Sequence, residues 1–330
     1  MKLLFVFTGG TIGSTQKGNV ISADSDKPYK LIKAYDEKYR IDFDYDVIEP
    51  YTELSENNTG WHISRLVECI KQNLNKNYDG IIVTHGTDTL QYTAAAVGYS
   101  FGVSSLPICL IAANAPIESE SSNALDNMRG AVSFIRGKGG KGVFVSYRNS
   151  NSNVVKIHRA TRLLASKAYS DELFSALEMP YGYFDTDFIF VKNENYKERD
   201  DEQSVLDASQ LGEQSEEIAV ISAYTGMSYP RLSSKVKYVI FNTYHSGTLN
   251  TKSQSAIEFF CDARARGIKV YASGIYDGPH YSSAEEFLSL GIEPIKNISP
   301  IAAYIKLWLI SSMGKNPDRL LNKSLCGDVI

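Results

Sequence analysis

Short apolar runs alternate along the chain with longer stretches whose apolar residues recur at helical spacing. In the first half these runs cover residues 3–7, 80–84, 108–112 and 142–146, and each ends in a polar or glycine-rich turn. Runs of this length are typical of strands buried on both faces, and intervening helices are the usual crossovers between parallel strands. The pattern predicts an α/β fold with a large, mostly parallel sheet flanked by helices.

Residues 59–74 form the clearest helical pattern between two of these runs. Its apolar positions recur three and four residues apart and are Trp61, Ile63, Leu66, Val67 and Ile70. The polar residues 57–59 in front of them are typical of a helix N-terminus. We expect this helix to pack one face on the sheet.

A change in composition divides the chain. Residues 193–217 are polar and acidic with few aliphatic side chains, which is typical of a linker that contributes little to a core. Apolar runs and helical patterns resume afterwards, with strands predicted at 218–222, 236–241 and 269–272 and helices at 253–266 and 283–290. The sequence therefore predicts a larger N-terminal α/β domain (1–192), a linker (193–217) and a smaller C-terminal α/β domain (218–330).

Composition excludes several classes of function. The 330 residues are 43% hydrophobic and 22% charged, with a formal net charge of −4, so no broad basic face is available for nucleic acid. No apolar stretch approaches the roughly 18 residues that a membrane-spanning helix needs. The four cysteines form neither a C-x-x-C pair nor a cluster with histidine, so we expect reduced thiols, no metal and a cytoplasmic location. A small-molecule ligand is the better expectation.

Two loops combine glycines with hydroxyl side chains directly after predicted strands. They read T-G-G-T-I-G at residues 8–13 and T-H-G-T-D-T at residues 84–89. Open α/β sheets bind ligands outside the carboxyl ends of their strands, where glycine allows close approach and a threonine hydroxyl can attack, donate or accept. Neither loop matches a dinucleotide or phosphate-binding motif, so amide or ester chemistry is favoured. His85 is expected to be a structural hydrogen-bonding residue.

At these two loops the sequence resembles the bacterial-type L-asparaginase family, which carries T-G-G-T-I near its N-terminus and T-H-G-T-D-T about eighty residues later. Residues 244–248 resemble a further loop of that family in the second domain. The resemblance implies a cofactor-free amidohydrolase that converts L-asparagine into L-aspartate and ammonia, with L-glutamine as a second candidate substrate. It also implies a homodimer or a homotetramer built from two dimers.

The resemblance also assigns roles to residues of the two loops. It places the nucleophile, which would form an acyl-enzyme, on Thr11, the second essential threonine on Thr87, and the carboxylate that holds the substrate's α-ammonium on Asp88. Backbone N–H groups of the glycine-rich loops, at Gly10 and Gly86, would stabilise the oxyanion.

Further substrate contacts follow from the same resemblance. Ser55 and Glu56, just before the predicted helix, fall where the family binds the α-carboxylate and α-amine, although Ser55 is equally typical of a helix cap. The family's mobile loop usually carries a tyrosine that closes over the substrate. Residues 14–26 contain none, so Tyr29 is the nearest candidate.

The general base is where this sequence departs from the family. A threonine hydroxyl needs a proton acceptor, which the family supplies as a lysine, and a neutral lysine has to be buried or beside another cation. Direct alignment places Ala165 at that position. Lys167, two residues later, would share its face on an extended segment. Lys156 and Arg162 are alternatives, although an arginine cannot act as a base.

Two other functions remain open at this point. An amidotransferase or amidase component acting on a larger amide would usually carry an additional N-terminal domain, whereas this sequence begins directly with the first predicted strand. A sensing protein could keep the amino-acid site and lose turnover, an interpretation supported by Ala165. Ligand binding without ammonia release would identify the second alternative.

Overall fold

The computed structural model describes residues 1–10, 12, 14–17, 20–23, 28–198 and 206–330, with side chains for 1–10, 12, 30–198 and 206–330. The strands in chain order are β1 Lys2–Phe7, β2 Ser14–Lys17, β3 Val20–Ala23, β4 Asp44–Ile48, β5 Gly80–Thr84, β6 Ile108–Ile111, β7 Val143–Arg148, β8 Val155–Arg159, β9 Gly182–Phe184, β10 Phe190–Lys192, β11 Ile218–Ser222, β12 Tyr238–Asn242, β13 Lys269–Ile275 and β14 Ile292–Lys296. The helices are α1 Pro28–Tyr39, α2 Gly60–Lys71, α3 Leu90–Phe101, α4 Ala124–Arg136, α5 Gln254–Ala265, α6 Ser282–Glu285, α7 Phe287–Leu290, α8 Pro300–Ser312 and α9 Pro317–Leu320.

The large sheet contains eight strands in the order β10-β9-β8-β7-β6-β5-β1-β4. Strands β4, β1, β5, β6 and β7 are parallel, and β8 to β10 extend the sheet antiparallel. Residues 3–7 of β1 and all of β5 are buried, as expected for central strands between helix layers. The predicted α/β class with a mostly parallel sheet is confirmed, whereas the antiparallel extension was not predicted.

The connections of this sheet create a crevice beside β1. The chain continues from β1 to β4 on one side, and then crosses to β5 on the other side. Where successive crossovers leave a strand in opposite directions, the loops at the carboxyl ends separate and leave room for a ligand. Phe7 pairs with Thr84, so the two glycine-rich loops begin level with each other at this point.

Helix α2 begins one residue later and ends earlier than predicted. Thr59 is its N-cap, and the His62 ring Nδ1 accepts a hydrogen bond from the Thr59 backbone N–H at 3.0 Å. Ile63 and three further apolar positions are buried, but Trp61 is 49% exposed. The expectation that Trp61 belongs to the packed face was therefore wrong; its ring stacks near the Arg65 guanidinium instead.

The second sheet is smaller and wholly parallel, in the order β11-β12-β13-β14. The last strand of the first sheet ends at Lys192 and this sheet begins at Ile218. The predicted linker, residues 193–217, covers the chain between these two strands, and the domain bounds stay a prediction. One expectation needs correction: the end of the connecting segment does contribute to a core, because Leu206, Ala208 and Leu211 are buried beside the helices of the first sheet.

Helix α8 joins the two parts of the molecule. It packs against α3, and eleven of the twelve α3 residues and nine of the thirteen α8 residues are buried. Between them lies a fully buried ion pair, Lys306 Nζ to Asp328 Oδ2 at 2.7 Å, and the Tyr99 hydroxyl donates to the same carboxylate oxygen at 2.8 Å. The C-terminal segment is therefore tied to the helix that follows the second glycine-rich loop.

The segment after the first loop contains a β-hairpin where an open loop was expected. Strand β2 pairs antiparallel with β3, with Lys17 opposite Val20. In the part of the chain that the structure describes, none of the helices is both long and apolar enough to cross a membrane.

We predict that Lys306→Met lowers the free energy of unfolding by about 3 kcal/mol, because it leaves the Asp328 carboxylate buried without its cation. The surface pair Lys296–Asp277, at 3.0 Å, provides the control, and Lys296→Met should cost less than about 1 kcal/mol. Adding Asp328→Asn to Lys306→Met should recover part of the loss. Urea denaturation measures all three, and equal costs for the two single variants would contradict this account.

Candidate functional site

The two glycine-rich loops are held at the edge of the large sheet by backbone contacts. The Gly10 N–H donates to the Glu53 carbonyl at 3.0 Å, and the Glu53 N–H donates to the Thr8 carbonyl at 3.1 Å. The Thr8 hydroxyl donates to the Thr84 carbonyl at 2.6 Å. The first loop is thus fixed between the segment after β4 and the end of β5.

Gly10, Gly86 and Ser55 lie in direct contact. A Cβ at Gly10 would lie 2.3 Å from the Gly86 nitrogen, and a Cβ at Gly86 would lie 2.5 Å from the Ser55 Oγ. Gly10 also has φ +75°, a left-handed conformation that favours glycine. The glycines of both motifs are therefore needed because two backbones meet here, and Ser55 completes the cluster. Ser55 lies inside a short 3₁₀ turn, Ser55–Asn57, rather than at its cap.

His85 supports this cluster from behind. Its ring is fully buried, and burial lowers its pKa to about 4, so the imidazole is neutral at pH 7. The Asn58 side-chain amide lies 3.0 Å from Nε2, and the Gly86 carbonyl lies 2.8 Å from Nδ1. Because a carbonyl only accepts, the single ring proton sits on Nδ1 and Nε2 accepts from Asn58. This geometry fits the expectation of a structural histidine.

Thr87, Asp88 and Lys167 line one cavity of about 360 Å³, which we call the Thr87 cavity. Thr87 is half-buried and Asp88 is exposed, both in the turn that precedes α3. The structure thus brings three of the expected functional side chains to a common space. Tyr147 and Glu172 also line this cavity and were not predicted from the sequence.

The loop that carries Lys167 is closed at its base. Leu163 and Ser175 form an antiparallel bridge, and the Leu164 N–H donates to the Phe174 carbonyl at 3.0 Å. The Lys167 Nζ lies 5.0 Å from the centroid of the Phe174 ring, and the lysine side chain is exposed. A buried base was expected, so Lys167 in this conformation does not meet that condition. Ala165 is also exposed, in the same loop.

The two alternative cations are placed differently. Arg162 is buried, and its guanidinium donates to the carbonyls of Gly327 and Val329 at 2.7 and 2.6 Å, so it anchors the C-terminus. Lys156 lies half-buried on β8, opposite Tyr147 across the antiparallel pair. Tyr147 lines the Thr87 cavity, so Lys156 is the cross-strand neighbour of a residue that lines this cavity.

Three other expected residues are located less fully. Thr11 lies outside the described residues, and so does the side chain of Tyr29, whose backbone belongs to α1. Glu56 follows Ser55 in the 3₁₀ turn, and its side chain is exposed. Within the described ranges no group of three or more histidine, cysteine or carboxylate side chains could hold a metal ion.

Thr89 is a positioning residue that was not predicted from the sequence. Its hydroxyl donates to the Ser55 carbonyl at 2.8 Å, which ties the second loop to the segment between β4 and α2. Its place as the last residue of T-H-G-T-D-T was the available signal. The described parts of the site can therefore present hydroxyls, a carboxylate and close-packed backbone to one small ligand.

The chain is similar in sequence and in fold to proteins described as L-asparaginases. The sequence profile described as "Asparaginase, N-terminal" matches residues 2–196. The L-asparaginase of Thermococcus kodakarensis is 24% identical over 343 aligned positions, covering 100% of this chain and 99% of that protein. Its solved structure superposes with a TM-score of 0.79 at 20% identity, over 100% of this chain and 99% of the other. The structure of a probable cytoplasmic L-asparaginase from Campylobacter jejuni superposes with a TM-score of 0.74 at 20% identity. The superposition covers 97% of this chain and 98% of the other.

A second group of relatives carries a different description, that of a glutamyl-tRNA(Gln) amidotransferase component. The protein of this description from Pyrobaculum aerophilum is 27% identical over 260 residues, which is 75% of this chain but 60% of that protein. The corresponding protein of Methanococcus maripaludis is 25% identical, over 84% of this chain and 68% of its own length. The matched part therefore leaves about a third or more of these relatives uncovered.

Gly10→Ala should destabilise the protein far more than Gly226→Ala. Both glycines have φ +75°, but nothing lies within 4 Å of a Cβ at Gly226. Gly226→Ala should therefore cost about 1 kcal/mol from backbone conformation alone. Gly10→Ala adds overlap with the Gly86 backbone, and we expect a further loss of about 2 kcal/mol or more. Denaturant titration measures the free energy of unfolding of both variants. Similar losses in the two would refute the close contact between Gly10 and Gly86.

Proposed function

Because the chain belongs to the asparaginase family of amidohydrolases, we propose that it hydrolyses L-asparagine to L-aspartate and ammonia through a threonine nucleophile and an acyl-enzyme. The observation that carries the proposal is the convergence of both motifs: Gly10 and Gly86 are in contact, and Thr87 and Asp88, the next two residues of the second loop, line one cavity. A cavity of about 360 Å³ can hold an amino acid.

In the proposed reaction Thr11 is the nucleophile, and Thr87 lies beside the reacting carbonyl group. The Thr11 hydroxyl attacks the side-chain amide carbon and gives up its proton, and the amide nitrogen leaves as ammonia after it has been protonated. Water then adds to the resulting ester, releasing aspartate and returning the hydroxyl. The backbone N–H group of Gly86 would stabilise the oxyanion in both steps, with the Thr87 hydroxyl beside it, because the Gly10 N–H already donates to the Glu53 carbonyl.

The substrate's charged groups also find complementary residues in this proposal. Asp88 provides the carboxylate for the α-ammonium, with Glu56 from the neighbouring turn. The Ser55 hydroxyl, held against Gly86, would donate to the α-carboxylate. No cofactor enters the proposed reaction. Tyr29 remains a proposed lid residue, carried by the first turn of α1.

We further propose Lys167 as the general base. The Ser166 hydroxyl lies 3.5 Å from the Thr87 carbonyl, so the loop already contacts the site at its neighbouring residue. Closure of the loop over a ligand would remove the Lys167 amine from water, and burial favours the neutral amine that a base requires. Lys156, whose cross-strand neighbour lines the cavity, is the proposed substitute.

The amidotransferase relatives favour a second candidate, hydrolysis of a larger amide as part of an assembly. The match covers 75% of this chain and 60% of the Pyrobaculum aerophilum protein. Ala165, at the position of the expected base, favours a third candidate, a protein that binds the amino acid without turnover. Ammonia release from free L-asparagine separates the first candidate from the other two.

We propose that the protein forms a homodimer or a homotetramer in the cytoplasm and contacts neither nucleic acid nor membrane. The exposed His245 and the residues around it, at the carboxyl edge of the second sheet, are the proposed contacts with a neighbouring copy. Light scattering gives the mass directly.

Thr87→Val and Thr11→Ala should each lower ammonia release from L-asparagine by about a thousandfold or more, because each removes a hydroxyl that the chemistry uses. Thr186→Val, at an exposed turn between β9 and β10, is the matched control and should retain full activity. Circular dichroism checks that all three variants are folded. Wild-type rates in both site variants would show that the site is assigned wrongly.

Lys167→Met should lower kcat for L-asparagine about a hundredfold or more, because it removes the proposed proton acceptor. Lys141→Met, an exposed lysine away from the cavity, is the control. Adding Ala165→Lys to Lys167→Met should restore part of the rate, since it returns an amine to the family's position. An unaffected rate in Lys167→Met would transfer the assignment to Lys156, where Lys156→Met makes the same test.

A further inference from the structure

A second cavity lies on the opposite side of the segment that carries Thr87. This cleft has a volume of about 530 Å³ and is formed by the start of α2, the first turn of α3, the segment 213–215, β11 and α8. Thr89 and Thr93 line it, whereas Thr87 and Leu90 line the Thr87 cavity. We call this second cavity the aromatic cleft.

The floor of the aromatic cleft is apolar. Tyr304 and Trp308 lie one turn apart on α8, with ring centroids 5.8 Å apart, and the Tyr92 ring meets Tyr304 edge-on at 6.1 Å. The Tyr304 and Ser215 hydroxyls are 2.8 Å apart, so this tyrosine is held at its polar end. Ile63 adds an aliphatic wall. Such a floor suits a planar aromatic or a branched aliphatic group.

Two polar atoms of the cleft residues lack hydrogen-bond partners among the described residues. They are the side-chain carbonyl oxygen of Asn58 and the hydroxyl of Thr93, which is 1% exposed. A buried polar atom without a partner costs free energy. Both atoms are buried and out of a ligand's reach in this conformation, so the aromatic floor and the charge of the cleft decide which ligand it suits.

The charge of the cleft selects the kind of ligand. Glu213 is the one charged residue among the described residues that line it, and it lies at the exposed rim. Neither lysine, arginine nor histidine is among those lining residues. A carboxylate ligand would therefore lose its hydration without gaining a cation, whereas an ammonium would gain Glu213.

The cleft is connected to the candidate catalytic loops by two short hydrogen-bonded paths. Asn58 donates to His85 at 3.0 Å, and His85 donates to the Gly86 carbonyl at 2.8 Å. On the other path, the Thr89 hydroxyl donates to the Ser55 carbonyl at 2.8 Å. A ligand that moves Asn58 or Thr89 therefore acts on the backbone of the proposed substrate site.

We propose that the aromatic cleft is a second binding site, for a small amine with an aromatic or branched apolar body, and that its occupation alters substrate binding at the Thr87 cavity. The binding claim is independent of the proposed reaction. The coupling claim rests on the proposed function.

Fluorescence titration with phenethylamine tests the binding. The chain has two tryptophans, so Trp61→Phe leaves Trp308 as the reporter on the cleft floor. Phenethylamine should change its emission saturably, and phenylacetate, the matched anion, should not. Glu213→Gln should weaken phenethylamine roughly two- to fivefold and leave the neutral 2-phenylethanol unchanged, the size expected of an exposed ion pair.

A rim substitution locates the site. Val220, 46% exposed, lines the cleft, and Val220→Arg should weaken phenethylamine about tenfold or more by filling the entrance with a cation. Ile189→Arg, at a 61% exposed position elsewhere, should have no effect. The proposal is overturned if emission does not saturate, if phenylacetate binds as well, or if Val220→Arg dissociates an oligomer by light scattering, which would place another copy in the cleft.

Coupling is measured as the change that phenethylamine produces in KM for L-asparagine. We expect at least a twofold change in the wild type and none in Val220→Arg, whose activity without the amine should be normal. An equal change in both proteins, or none in either, refutes the coupling. If the wild type releases no ammonia, the proposed reaction fails, and the calorimetric affinity for L-aspartate with and without phenethylamine then decides the coupling.

Discussion

The close approach of two backbones at Gly10 and Gly86 is the constraint on which the site depends. A single added carbon at either position would overlap backbone or the Ser55 side chain, so both positions require glycine. This contact brings loops from two neighbouring strands within reach of one small molecule. The crossing of the chain from one side of β1 to the other leaves the space into which they open.

Neutral His85 and the hydroxyl of Thr89 support the contact between Gly10 and Gly86 through hydrogen bonds to neighbouring carbonyls. Neither needs to react, because each holds a carbonyl of the site: His85 that of Gly86, and Thr89 that of Ser55. The same turn separates two cavities of different chemistry, one containing Asp88 and Lys167 and the other an aromatic floor. Catalysis and its control would then share one short segment of chain.

Local sequence patterns predicted the strands whose limits depend on neighbouring residues. Strand β5 and strand β11 coincide with their predicted limits, because apolar runs bounded by turn residues specify buried parallel strands. Trp61 was misplaced because a periodic pattern does not show where a helix face ends. The antiparallel strands β8 to β10 and the buried Leu206 depend on contacts between distant segments, which neither spacing nor composition encodes.

The site divides in the same way. Both glycine-rich loops could be found from motifs and strand ends, but Tyr147 enters the Thr87 cavity through the fold of β7.

The most direct measurement is a crystal structure with L-aspartate bound. We predict the Thr11 and Thr87 hydroxyls both within about 3.5 Å of its side-chain carboxyl group, the reach of a hydrogen bond or an attacking oxygen. Two hydroxyls in separate environments, with aspartate at neither, would contradict the account.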